Sequence, residues 1–154
     1  MATQFNPKAG LIPYMYENGI LKMLFMVSSN PKFGGPKPMI SKGTIEAGED
    51  ELVAAIREAE EELGLKKENL KEDPFLVQRE YVQLRSSEYD LAIFAAEIKD
   101  KYDFNKWCYE TAFATWMSVD SFMEKGRKDH KPIVQLLVNK LEGKQNESPV
   151  NSTA

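Results

Sequence analysis

Residues Gly43–Leu65 read GTIEAGEDELVAAIREAEEELGL, and the spacing of apolar and acidic side chains in this stretch decides how the rest of the chain is read. At 3.6 residues per turn, successive side chains on a helix are about 100° apart. Leu52, Ala55, Ile56, Ala59 and Leu63 then share one apolar stripe that must face a core. Glu58, Glu61 and Glu62 fall on an adjacent stripe at i, i+3 and i+4, close enough to share a ligand, and Glu51 projects in roughly the same direction. Gly48-Glu49-Asp50 opens the helix and Gly64 closes it. Like charges at this spacing weaken a helix unless something neutralises them. Hard divalent cations such as Mg²⁺ favour carboxylate oxygens, so a metal site accounts for the cluster. Taken alone, the helix fits an ordinary solvated acidic face better than a metal site, because glutamate is a good helix former and most such pairs lie on solvated faces.

Outward from the helix, the chain alternates strand and turn signals. Ala9–Tyr16 (AGLIPYMY) and Ile20–Val27 (ILKMLFMV) are apolar runs around the hairpin signal ENG. The Pro/Gly/Lys-rich stretch Ser28–Pro38 reads as a loop. Phe75–Leu84 and Tyr89–Ile98 read as strands joined by the turn RSSE, and Phe113–Met117 as a further short strand. Asp120–Lys125 and His130–Leu141 read as helices, the second with apolar residues at Ile133, Val134, Leu136, Leu137, Val138 and Leu141. Strands around one central helix, with another helix at the end, predict an α/β fold: an α/β/α sandwich with a mixed sheet. One domain over residues 1–142 is expected, followed by a disordered polar tail over 143–154.

Composition narrows the function classes. The 154 residues suit one compact domain, with 42% hydrophobic and 29% charged residues. A net charge of −4 does not favour general polyanion binding, and no basic, aromatic-rich stripe marks a nucleic-acid face. The single cysteine, Cys108, excludes an intrachain disulfide framework and a cysteine-based zinc site. No run approaches the roughly 18 apolar residues of a membrane span and the N-terminus lacks a signal-peptide core, so a cytoplasmic protein without membrane partners is expected. The sequons at Asn146 and Asn151 are read as chance matches, and Cys108 and His130 as structural or surface residues.

The stretch Gly43–Leu65 resembles the box of the Nudix (MutT-like) hydrolase family. Gly43, Glu49, Arg57-Glu58, Ala59, Glu61-Glu62, Gly64 and Leu65 stand at its fixed offsets, with Ala59 smaller than the usual aliphatic residue. The resemblance implies a loop-helix-loop that holds Mg²⁺ or Mn²⁺ through Glu58, Glu61, Glu62 and the Gly43 carbonyl. It implies that Arg57 orients the carboxylates by pairing with Glu49, as a guanidinium suited to a bidentate grip. Downstream, Glu110-Thr-Ala-Phe-Ala-Thr-Trp116 is similar to a strand entry in which the acid serves as a further ligand or as general base. Glu110 is therefore preferred over Glu88, Asp90 and Asp103, while Trp116 is read as a core residue. The implied reaction is attack of water on a pyrophosphate, with Glu62 or Glu110 taking the proton.

Substrate is less legible. Lys32, Lys37 and Lys42 lead into the box, and Lys42, beside Gly43, is the one expected to meet phosphates. Tyr81 lies near a tyrosine position of the diadenosine polyphosphate hydrolases, and the SKG before the box resembles their PKG. These features favour a small-molecule substrate of the dinucleoside polyphosphate type. A nucleoside triphosphate or an RNA 5′ end is the enzymatic alternative, and a non-catalytic nucleotide- or RNA-binding module the other. Family members often pair, so a homodimer is carried as a partner, with the apolar N-terminal hairpin as one candidate surface.

Overall fold

The computed structural model describes residues 4–5, 7–27, 37–83, 87–99 and 113–153. The strands are β1 (Gln4–Phe5), β2 (Lys8–Glu17), β3 (Ile20–Val27), β4 (Pro38–Met39), β5 (Ser41–Thr44), β6 (Phe75–Gln83), β7 (Ser87–Glu97) and β8 (Phe113–Ser118). The helices are α1 (Glu51–Leu63), α2 (Val119–Lys125) and α3 (Lys131–Thr153), with single 3-10 turns at Lys67–Asn69 and Lys128–His130. The predicted ENG turn forms as a two-residue hairpin loop, with Asn18 at φ 53° and Gly19 at φ 79° between paired Glu17 and Ile20. Two positive φ values in succession match the right-handed twist of the flanking strands.

The sheet is mixed. β2 pairs with β7 in parallel from Lys8↔Leu91 to Tyr14↔Glu97, and antiparallel with β3 and with β5. β6 pairs with β7, β8 with β3, and β4 with β3, all antiparallel. Side chains alternate across the sheet with a period of two. Leu11, Leu24, Met26, Ala92 and Phe94 meet Ala55, Ala59 and Leu63 of α1 on one face. Ile12, Met23, Phe25, Leu91 and Ile93 meet Phe122 of α2 and Ile133, Val134 and Leu137 of α3 on the other. This is the expected α/β/α sandwich.

The structure departs from the sequence reading in three places. Residues 38–39 and 41–44 are short strands, because the exposed edges of β3 and β2 offer them backbone partners. Ala54, off the predicted stripe, is fully buried, whereas Leu52 and Ile56 are only partly so. The α3 backbone continues as helix to Thr153, where the polar composition predicts disorder. It propagates from a turn already fixed by Leu137 and Leu141, which removes the nucleation penalty. The greater part of the loop 28–38, residues 84–86 of the strand connection, and Cys108 lie outside the described residues. Among the described residues no helix is long and apolar enough to cross a membrane.

Candidate active site

The helix that carries the acids is fixed at both ends by its own sequence. Asp50 caps it, its Oδ1 accepting the Val53 N–H at 2.8 Å. Gly64 turns left-handed at φ 74° and its N–H reaches the Glu60 carbonyl at 3.0 Å. Packing of α1 against β2 and β5 then sets the acidic stripe beside Ser41–Thr44. Contact is close at Gly43: a Cβ there would overlap the Glu58 carboxyl, so only glycine admits this approach. Gly10 plays the matching role one strand over, where a Cβ would overlap the Ser41 carbonyl oxygen.

Arg57 organises the acids. Its Nε donates to Glu49 Oε2 at 2.7 Å and Nη2 donates to Glu49 Oε1 at 3.0 Å, the bidentate pair expected from the sequence. Nη2 also donates to the Thr44 carbonyl at 3.0 Å, and Nη1 to Glu58 at 2.9 Å and Glu61 at 3.3 Å. Hydrogen bonding to Glu49 raises the Arg57 pKa above its already high ordinary value, and the same bond holds the Glu49 carboxyl below the usual range. Glu62 is buried and accepts from Ser41 Oγ at 2.8 Å. Glu51 leaves the cluster: it pairs with Arg79 of β6, whose Nε lies 2.9 Å from Glu51 Oε2.

Among the described residues, no three His, Cys, Asp or Glu groups converge closely enough to hold an ion between them. Arg57 draws Glu58 and Glu61 toward itself, and Ser41 engages Glu62. The donor chemistry nonetheless fits a hard cation, since the side-chain and carbonyl donors here are all oxygens and Glu58 lies directly against the bare Gly43 backbone. Turning these carboxylates from Arg57 and Ser41 into the cavity is what such a centre requires.

A cavity of about 740 Å³ receives both kinds of charge. Gly43, Arg57, Glu58, Glu61 and Glu62 line it together with Lys8, Lys42 and Arg127. Burial, with the neighbouring charges of Lys8 and Arg127, pushes Lys42 down to about 8 against the opposing pull of Glu62 and Asp129. Buried His130 accepts the Ile40 N–H at Nδ1 over 3.1 Å, so its proton sits on Nε2. Burial, then Lys42, hold that imidazole down to about 3 despite Asp129. It is a neutral structural residue, as its sequence context predicts.

Of the residues singled out from sequence, Lys42, Gly43, Arg57, Glu58, Glu61 and Glu62 share this cavity. Tyr81 does not line it: it is 54% exposed on β6, opposite Asp90. Lys37 is exposed and also stands outside the lining, and Trp116 packs against the α1-side core. Glu110, Asp103 and Lys32 lie outside the described residues. Lys8 and Arg127 escape the sequence reading. Neither sits in a recognisable motif, and only tertiary pairing brings them to the box.

The NUDIX domain profile matches residues 7–137, and the chain belongs to this family. Its class is that of a pyrophosphohydrolase, and enzymes of this family act on small nucleotide substrates with divalent cations. No curated protein matches the chain by sequence. Among solved structures it is similar to a C. elegans Ap4A hydrolase binary complex, at TM-score 0.73 and 21% identity over 90% of this chain and 98% of that one. It is also similar to the NUDIX domain of Shewanella oneidensis NrtR complexed with ADP ribose, at TM-score 0.72 and 13% identity over 92% and 90%. The MutT protein from Methanosarcina mazei Go1 follows at TM-score 0.68 and 14% identity over 91% and 97%. At these identities the likeness concerns the fold.

Proposed function

We propose that the chain hydrolyses a pyrophosphate linkage in a dinucleoside polyphosphate, with Mg²⁺ or Mn²⁺ held by Glu58, Glu61, Glu62 and the Gly43 carbonyl. The observation that carries this reading is a single cavity lined by those acids and by the cations Lys8, Lys42 and Arg127. Carboxylates suit the metal, and the cations suit the phosphates that remain. When bound, a divalent cation would lower the pKa of water and neutralise the diphosphate.

The chain's own residues supply the rest. Arg57 ties Glu49 and the Thr44 carbonyl together and so fixes the loop that leads into α1. A water oxygen bonds to phosphorus while the bridging P–O bond breaks, and the bridging electron pair leaves on the departing phosphate. The water's proton passes to Glu62 or Glu110. Lys42 stabilises the growing negative charge, and no covalent intermediate forms. Tyr81, exposed on the α1 side of β6, is the platform for a base at the far end of the substrate.

A dinucleoside tetraphosphate, a nucleoside triphosphate, a 5′-triphosphate RNA and ADP-ribose, assayed with Mg²⁺, separate the substrate classes. The first is expected to give the highest kcat/KM. Glu61→Gln and Glu62→Gln are each expected to lower kcat by at least about 100-fold, and unchanged rates in both would sink the metal mechanism. Tyr81→Ala is expected to raise KM for the tetraphosphate by about tenfold, in line with base–aromatic stacking. The same proposal includes a cytoplasmic setting and a homodimer, the latter testable by light scattering.

A further inference from the structure

Two arginines line the cavity, and they differ in what their guanidinium groups do. Arg57 commits Nε, Nη1 and Nη2 to Glu49, Glu58, Glu61 and the Thr44 carbonyl. Arg127 commits only Nε, which donates to Asp129 Oδ1 at 2.8 Å. Its Nη1 and Nη2 have no partner among the described residues. The terminal fork of a guanidinium matches the spacing of two phosphate oxygens, and it is the open fork that can take them.

The backbone under Arg127 is held independently of its side chain. Its N–H donates to the Pro38 carbonyl of β4 at 2.8 Å. The preceding Gly126 packs so tightly on the Phe122 ring that a Cβ there would overlap it. His130 closes the segment by accepting the Ile40 N–H. Residues 126–130 are thereby fixed to the β4–β5 corner, which presents Lys42 to the same cavity. Lys42 there feels the like charges of Lys8 and Arg127, against the opposing pull of Glu62 and Asp129.

We propose that Arg127 is a specificity-determining residue that grips, through its free Nη fork, a phosphate beyond the pair whose linkage is cut. Asp129 holds the side chain in place before substrate arrives. This selects chains of three or more phosphates over two-phosphate nucleotides, and it rests on the polyphosphate reading above.

Two measurements on the full chain test it. Steady-state kinetics compare a dinucleoside tetraphosphate with ADP-ribose, and calorimetry follows inorganic tripolyphosphate binding in Mg²⁺ buffer. Arg127→Ala is expected to raise KM for the tetraphosphate about tenfold, with a loss at least fivefold greater than for ADP-ribose, and to weaken tripolyphosphate about tenfold. Arg127→Lys, which keeps charge without the fork, is expected to fall between, and its folding is checked by thermal melting. If the tetraphosphate is cleaved and both variants keep wild-type KM and tripolyphosphate affinity, the grip is overturned. If neither tetraphosphate nor triphosphate is cleaved but Arg127→Ala still loses tripolyphosphate, the grip stands and the substrate reading fails.

Discussion

Gly43 has a dual role: its carbonyl is a proposed metal ligand, and its missing side chain makes room for the Glu58 carboxyl. Gly43→Ala is expected to destabilise the fold by about 1–3 kcal/mol, as overpacking does, and to lower kcat/KM well beyond what that loss explains. Urea denaturation and steady-state kinetics on one preparation measure the two effects. A variant with wild-type stability and activity would contradict the close packing. The carboxylates, Arg57 and Gly43 were legible in sequence because they lie within one local segment whose helical period sets their directions. Lys8 and Arg127 were not. Each reads locally as a solvated cation, and β2 pairing in one case and the α2–α3 connection in the other bring them to the cavity. The arrangement of the acids was only partly legible: spacing predicts that Glu58, Glu61 and Glu62 face one side, but not that Arg57 gathers two of them and Ser41 the third.

At the scale of elements, α3 shows where stability is concentrated. Ile133, Val134, Leu137 and Leu141 are its buried residues among those described. Leu137→Ala is therefore expected to cost about 2–5 kcal/mol, measured by urea denaturation. Long elements with a clear period, the β2–β3 hairpin and α1, were readable from sequence. Pro38–Met39 and Ser41–Thr44 are too short for any period to appear, and they become strands only because β3 and β2 present unpaired edges to them. The helical continuation past Leu141 went the other way, since composition there carries no apolar face to announce it.

For the whole molecule, buried His130 couples stability to acidity. Its imidazole titrates at 6.5 ordinarily and at about 3 in the fold. Above 6.5 both states are neutral and the contribution is fully present. Between these values the unfolded chain takes up a proton that the folded chain refuses, so stability falls as pH drops, by at most about 1.4 kcal/mol per pH unit. Urea melts at pH 7.5 and 5.5 are expected to show this loss, and His130→Gln, whose amide oxygen can still accept the Ile40 N–H, to reduce it. An equal slope in both proteins would remove His130 as the source.

The parallel ladder between β2 and β7 sets a folding order. The β2–β3 hairpin closes through a two-residue turn, and hairpins of this kind form in roughly 1–10 μs. Lys8 cannot find Leu91 until the whole intervening chain, α1 included, exists and has been brought round. The entropy of that closure precedes its reward, which makes it a slow step of assembly. During synthesis the hairpin and the acidic helix emerge first and wait, with one strand edge open, for the segment that completes the sheet.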